Sequence, residues 1–207
     1  LPVHQFERAE DGWRERLVTF RDGGFQFELA EKVAVLDRPG GQGELFEQAP
    51  ARACYMAEIA ARLGTVGGAA LIIDYGHAES ANGDTLQAVR AHKPQPVFAE
   101  PGLADLTSHV DFEALARASA KSAAVHGPVR QGPFLRALGI ETRAALLQRS
   151  ATPEQARDIE NALYRLIDSR QMGDLFKVMA LTAKGAPAPA GLESRAAAGR
   201  AQGACAW

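Results

Sequence analysis

Alternating apolar and polar residues at the start of the chain predict a small antiparallel sheet. Phe25, Phe27 and Leu29 recur at every second position, which is typical of a strand with one buried face. Asp-Gly steps at residues 11–12 and 22–23 separate this strand from two earlier apolar segments. Asp-Gly is a strong hairpin signal because glycine accepts the positive φ of tight turns. We therefore expect an antiparallel meander over the first 30 residues.

The pattern then changes to that of a helix followed by an unbroken apolar run. One apolar stripe at helical spacing predicts a helix over about residues 51–63, formed by Met56, Ile59, Ala60 and Leu63. The run that follows ends in Leu71–Asp74. A short uninterrupted apolar run suits a strand that is covered on both faces, as in a parallel sheet. We therefore expect an α/β fold with Leu71–Asp74 as a central buried strand.

Local start signals predict the helices of the second half. Asp111 can cap a helix that runs from residue 112 to about residue 125. Thr152, followed by Pro153 and Gln155, has the pattern of a capping box and predicts a helix to about residue 167. Residues 175–181 follow as a last predicted strand. Ala, Gly and Pro dominate residues 184–207, where the absence of an apolar period predicts a disordered tail.

Composition excludes several classes of protein. The 207 residues include 23 Lys and Arg against 25 Asp and Glu, a net charge of −2, which argues against a nucleic-acid partner. The longest apolar run, residues 67–73, is far shorter than the about 20 residues of a membrane helix, so we expect no membrane span. Cys54 and Cys205 form neither a disulfide framework nor a metal motif. The first residue is Leu1, and no signal peptide or other targeting segment is visible after it.

Two groups of polar residues are candidates for chemistry. Tyr75 and His77 follow the predicted central strand, and ligands in α/β sheets bind beyond the carboxyl ends of the strands. Asp105, Thr107, His109 and Asp111 recur at every second position and share a face if the segment is extended. Such residues can orient a guanidinium through paired hydrogen bonds, or ligate a metal. A strand-end turn at His77 and a simple helix cap at Asp111 are the structural alternatives.

Short motifs follow one another in a fixed order along residues 1–182. They are Leu71–His77, Gly83–Leu86, Arg90–Lys93, Pro101–Gly102, Asp105–Thr107, His109–Phe112, Gln131–Gly132, Phe134–Leu135, Leu138–Ile140, Met172–Gly173 and Phe176–Val178. This order resembles the MidA-like family of S-adenosylmethionine-dependent methyltransferases. The resemblance implies a class I, Rossmann-like methyltransferase fold with an inserted antiparallel meander. It also implies S-adenosylmethionine as cofactor and symmetric dimethylation of an arginine in a subunit of respiratory complex I.

The resemblance also implies that the cofactor-binding half of the domain is not in this chain. The family holds its Gly-rich loop and acidic cofactor-binding residue in an N-terminal half, and residues 1–6 look like the segment just after its fourth strand. We therefore expect residues 1–183 to be the C-terminal part of the domain, inactive when isolated. In the longer parent, Tyr75 and His77 would lie near the cofactor. Asp105, His109 and Asp111 would be the catalytic residues on the arginine side, with no metal.

The expected partner is a protein substrate. We expect no nucleic-acid partner and no membrane span, and whether the chain forms a homodimer is left open. The expected location is the bacterial cytoplasm, or the mitochondrial matrix in a eukaryote. Two other classes of function stay open. One is a metal-dependent hydrolase that uses His77, His109 and Asp111, and the other is a non-catalytic protein-binding module.

Overall fold

The computed structural model describes residues 1–192, which divide into two compact units. The first unit comprises residues 1–58 and 75–118, and the second comprises residues 59–74 and those from 119 onward. Both units mix helices with strands, so the predicted α/β class is confirmed.

An antiparallel sheet begins the first unit. Its strands are β1 (His4–Ala9), β2 (Gly12–Arg21), β3 (Gly24–Ala34) and β4 (Leu45–Gln48), in the order β3-β2-β1-β4. The predicted meander is therefore confirmed, with its turns at the two Asp-Gly steps. The predicted burial of Phe25 is wrong, because this side chain is 44% exposed near the hairpin tip. Its ring instead contacts Phe20 and Phe98, with centroids 5.1 Å and 6.3 Å away.

The remaining elements of the first unit lie along residues 50–119. Helix α1 (Pro50–Val66) starts in this unit, and strand β5 (Ala69–His77) ends in it. A small antiparallel sheet follows, formed by β6 (Gln87–Arg90), β7 (Lys93–Gln95) and β8 (Asp105–Thr107). Strand β9 (Val110–Asp111) leads directly into helix α2 (Phe112–Ser119) and pairs in parallel with the end of β5.

Gly76 allows that parallel pairing. A β-carbon at Gly76 would lie 2.1 Å from the carbonyl oxygen of Val110, which no side chain can tolerate. Only glycine therefore lets β9 approach β5 here. The resulting register places Gly76 opposite Val110 and His77 opposite Asp111.

The second unit is built on a strand pair and four helices. Strands β10 (Ala124–Arg130) and β11 (Phe176–Thr182) are antiparallel, and β5 lies on the other side of β11. The helices are α3 (Gln131–Ala137), α4 (Ile140–Gln148), α5 (Pro153–Ile167) and α6 (Met172–Leu175). The core is centred on β11, where Val178, Met179 and Leu181 are fully buried. The predicted capping box is confirmed, because Thr152 and Gln155 exchange side-chain and backbone hydrogen bonds.

Two predictions about this part of the chain are wrong. Strand β5 exists, but Leu71 and Ile73 are 54% and 44% exposed, so one face of the strand is uncovered by residues 1–192. A continuous apolar run shows that both faces of a strand can be buried, but residues 1–192 cover only one face of β5. Helix α2 ends at Ser119 rather than near residue 125. The Ala-rich sequence favours helix, but residues 124–130 pair with β11 instead, which is tertiary context overriding local propensity.

The packed structure continues to Leu192. This side chain is 5% exposed and belongs to a buried cluster with Phe134, Val178 and Ala180. Residues 184–192, the first part of the predicted tail, thus end in a core contact. The rest of that tail, residues 193–207, lies outside the described residues.

Candidate functional site

A cavity of about 270 Å³ opens in the first unit. It lies where β4, β5 and β9 end and where α1 and α2 begin. Apolar side chains form much of its wall, and the charged and polar side chains around it are Glu47, Gln48, Arg52, His77, His109, Asp111 and Arg117.

Three of the five predicted site residues meet at this cavity. His77 and Asp111 are register partners on β5 and β9, and His109 precedes β9 by one residue. Tyr75 is not part of the wall, but its ring contacts the imidazole of His109 edge-on, with centroids 5.8 Å apart. Asp105 lies elsewhere, exposed on β8 beside a separate shallow depression. Residues 108–109 separate β8 from β9 and belong to neither strand, so residues 105–111 do not form one continuous strand with these side chains on one face.

Asp111 caps helix α2 and lines the cavity at the same time. Its Oδ1 accepts the backbone N–H of Ala114 at 2.9 Å, and its Oδ2 accepts the hydroxyl of Ser80 at 2.5 Å. The helix-cap interpretation is therefore confirmed. A carboxylate has about four acceptor positions, so this group retains acceptor capacity toward the cavity.

Glu113 and Arg117 form a charged pair on the first turns of α2. Glu113 accepts the backbone N–H of Ser80 at 2.7 Å and a guanidinium N–H of Arg117 at 2.6 Å. The hydrogen bond from Ser80, assisted by the positive charge of Arg117, lowers the pKa of the Glu113 carboxyl below its ordinary value. The guanidinium of Arg117 is thus already engaged beside the cavity.

A group of residues that hydrogen-bond to the backbone of His109 was not identified by the sequence patterns. Arg52, in the first turn of α1, donates to the carbonyl oxygen of His109 at 2.8 Å and to the hydroxyl of Ser108 at 2.7 Å. Thr85 accepts the backbone N–H of His109 at 2.9 Å and bonds through the same hydroxyl to Glu47. These partners lie 24 to 57 positions apart along the chain, so no local period marks them.

Residues 1–192 contain neither a cluster of metal-ligating side chains nor a helix that could span a membrane. Within that range, no group of three or more His, Cys, Asp and Glu side chains is arranged to hold a metal ion. His77, His109 and Asp111, the residues of the metal-dependent hydrolase alternative, therefore do not form such a group. None of the helices described is both long and apolar enough to cross a bilayer.

The cavity does not by itself fit S-adenosylmethionine. Its volume is about 270 Å³, below the about 300–1,000 Å³ of typical small-molecule sites. The wall suits a single side chain better than a nucleoside cofactor.

Comparison with known proteins identifies related sequences. Residues 1–129 match the profile of a family described as a putative S-adenosyl-L-methionine-dependent methyltransferase. The chain is 35% identical over 188 residues to "Protein arginine methyltransferase NDUFAF7, mitochondrial" of Xenopus tropicalis, covering 86% of this chain and 43% of that protein. It is 32% identical over 193 residues to the human protein of that name, covering 87% and 42%. The chain therefore spans less than half the length of these curated relatives.

Solved structures show the same relationship. A Burkholderia thailandensis protein bound to S-adenosyl-homocysteine superposes with a TM-score of 0.78 at 27% identity, over 94% of this chain and 53% of that one. A second structure from the same organism gives a TM-score of 0.78 at 28% identity, over 94% and 55%. These similarities confirm the methyltransferase resemblance of the sequence motifs. Because the profile matches more than half of its residues, the chain belongs to the family of putative S-adenosyl-L-methionine-dependent methyltransferases.

Proposed function

We propose that residues 1–183 are the C-terminal part of an S-adenosylmethionine-dependent protein-arginine methyltransferase, and that the cavity receives the arginine side chain. The observation that carries the proposal is the meeting of His77, His109 and Asp111 at one cavity sized for a side chain. The names of the curated relatives, which are protein arginine methyltransferases, support the choice of substrate.

The cavity offers what a guanidinium acceptor requires. Apolar wall residues such as Phe46 and Leu115 can cover the aliphatic stem of an arginine. The carboxylate of Asp111 can orient guanidinium N–H groups. A guanidinium keeps its proton in water, so it needs a neighbouring base to become a nucleophile. His77 or His109 can hold that proton, because a neutral imidazole is a base near physiological pH.

The cofactor would be held mainly outside this chain, in the longer protein that contains it. In that longer protein the cofactor supplies the methyl group, while residues of this chain bind the arginine acceptor and hold its proton. His77 would lie on the side of the cavity that faces the cofactor, with Tyr75 nearby through its contact with His109. By the same proposal the substrate is a subunit of respiratory complex I. The enzyme would act in the mitochondrial matrix or the bacterial cytoplasm, according to its source.

Calorimetry tests whether the cofactor site lies outside this chain. We expect the 207-residue chain to give no measurable heat with S-adenosylmethionine, and the longer parent to bind it. Micromolar binding by the 207-residue chain would contradict the proposal that the cofactor site lies outside it.

Methyl transfer in the longer parent tests the acceptor site. With labelled S-adenosylmethionine and an arginine-containing peptide, His77→Ala or His109→Ala should lower turnover by about 10²–10⁴-fold, the usual contribution of a general base. Asp105→Asn is the matched control, because Asp105 lies on β8 outside the cavity. Normal turnover in both histidine variants would place the acceptor site elsewhere.

A further inference from the structure

We infer that Thr85 and Glu47 are positioning residues that fix the imidazole of His109 in the cavity, an inference that rests on the proposed function. The backbone of His109 is held at both of its polar groups. Its N–H donates to the hydroxyl of Thr85 at 2.9 Å, and its carbonyl oxygen accepts from Arg52 at 2.8 Å. Two such bonds fix the orientation of the backbone from which the side chain projects.

The direction of these bonds follows from the chemistry of the groups. A threonine hydroxyl has one proton to donate, and the Glu47 carboxylate at neutral pH only accepts. The bond between Thr85 and Glu47 therefore uses the hydroxyl proton, which leaves a lone pair of Thr85 for the N–H of His109. The series runs in one direction, from His109 to Thr85 to Glu47.

Glu47 is itself fixed from several sides. Its Oε1 accepts the side-chain amide of Gln5 at 2.8 Å and the backbone N–H groups of Thr85 and Leu86 at 3.0 Å and 3.1 Å. Gln5 is 4% exposed, and Glu47 itself is half-buried. Thr85 itself lies in a segment without regular structure, between β5 and β6. The contacts of Glu47 attach that segment to β4 and, through Thr85, to His109.

The series matters for chemistry because small displacements at a reacting group are costly. His109 lines the cavity, whereas Thr85 does not. A misplacement of about 1 Å can cost about 10²-fold in rate. Thr85 would then influence methyl transfer without touching the substrate, by way of the position of His109.

The contact between His109 and Tyr75 provides a test that needs no enzyme activity. The two rings meet edge-on at 5.8 Å, so the ring current of Tyr75 shifts the imidazole proton resonances of His109. In the 207-residue chain with isotope-labelled histidine, Thr85→Val removes the hydroxyl at nearly constant shape and should move these resonances. Thr85→Ser should restore them. Thr65→Val is the matched control, since the hydroxyl of Thr65 bonds only to carbonyls of its own helix.

Two outcomes of this resonance experiment would contradict the inference directly. Unmoved His109 resonances in Thr85→Val, or a Thr85→Ser variant that fails to restore them, would overturn the inference. If Thr85→Val shifts all five histidines and so does not fold, Glu47→Gln replaces it. Glu47→Gln should then shift the resonances of His109 and leave those of the other histidines in place. Unmoved His109 resonances in this variant would also overturn the inference.

Kinetics in the longer parent separate this inference from the proposed function. Thr85→Val should lower kcat for an arginine peptide by about 10–10²-fold with little change in KM, because only the position of the base changes. Thr85→Ser should recover most of that loss. If the parent methylates no arginine at all, the proposed function fails while the resonance test still decides the role of Thr85. A Thr85→Val parent with unchanged kcat would overturn the catalytic consequence.

Discussion

Replacement of Gly76 by alanine should separate β9 from β5 and disturb the cavity between their ends. The new β-carbon would lie 2.1 Å, 2.8 Å and 2.9 Å from the carbonyl oxygen, nitrogen and carbonyl carbon of Val110. All three are backbone atoms of the neighbouring strand, so no side-chain rotation relieves the overlap. Strand β9 must therefore move by about 1 Å or more to restore ordinary contacts.

The expected cost has two parts. Overpacking at a tightly packed position costs about 1–3 kcal/mol, and a weakened strand hydrogen bond costs about 0.5–1.5 kcal/mol. Together they predict a loss of about 1.5–4.5 kcal/mol. For a chain of this size, this corresponds to a fall in Tm of about 3–18 °C. Circular dichroism during thermal unfolding measures it.

Gly24→Ala is the control for this substitution. Nothing lies within 4 Å of a β-carbon at Gly24, and its backbone does not have the left-handed conformation that favours glycine. Its stability should stay within about 0.5 kcal/mol of the wild type. A Gly76→Ala protein that melts with the wild type would refute the close approach of β9 to β5.

Substitutions at three further positions test local features. Because Ser80 lowers the pKa of Glu113, this carboxylate should stabilise the fold above its unfolded pKa near 4.5 and lose that effect as the pH falls through the lowered folded value. Glu113→Gln should thus be less stable at pH 7 in urea unfolding, with the difference vanishing in acid; a constant difference would contradict the cause. Thr152→Ala should cost about 1 kcal/mol and Thr152→Ser little, because only alanine removes the cap of α5. Asp111→Asn should keep most of the α2 cap, whereas Asp111→Ala loses about 1 kcal/mol, and equal stabilities would deny the cap.

The sequence predicts best the features that neighbouring residues determine. The hairpin turns at the two Asp-Gly steps, the capping box of Thr152 and the cap at Asp111 each depend on residues within a few positions, and all are present. The sequence patterns assign His77 to one candidate group and His109 and Asp111 to another, and only the parallel pairing of β5 with β9 in the folded chain brings the two groups to one edge. The inclusion of Asp105 in the second group depends on a continuous extended segment from residue 105 to residue 111.

Features that depend on distant partners could not be predicted in this way. The hydroxyl of Thr85 meets Glu47 across 38 positions, and only the folded chain brings them together. The end of α2 is decided by β11, which lies more than 50 residues later. The exposure of one face of β5 likewise depends on which distant residues pack against it, and the sequence of the strand does not contain that information.

The burial of Leu192 has a practical consequence for where this chain can be shortened. A boundary drawn at residue 183, where the apolar periodicity ends, would remove Leu192 from the cluster of Phe134, Val178 and Ala180. Removing a fully buried leucine forfeits about 1.5–3 kcal/mol of transfer free energy, a substantial fraction of the stability of an ordinary domain. An expression boundary chosen after residue 192 preserves that contact, which a boundary placed at the end of β11 would lose.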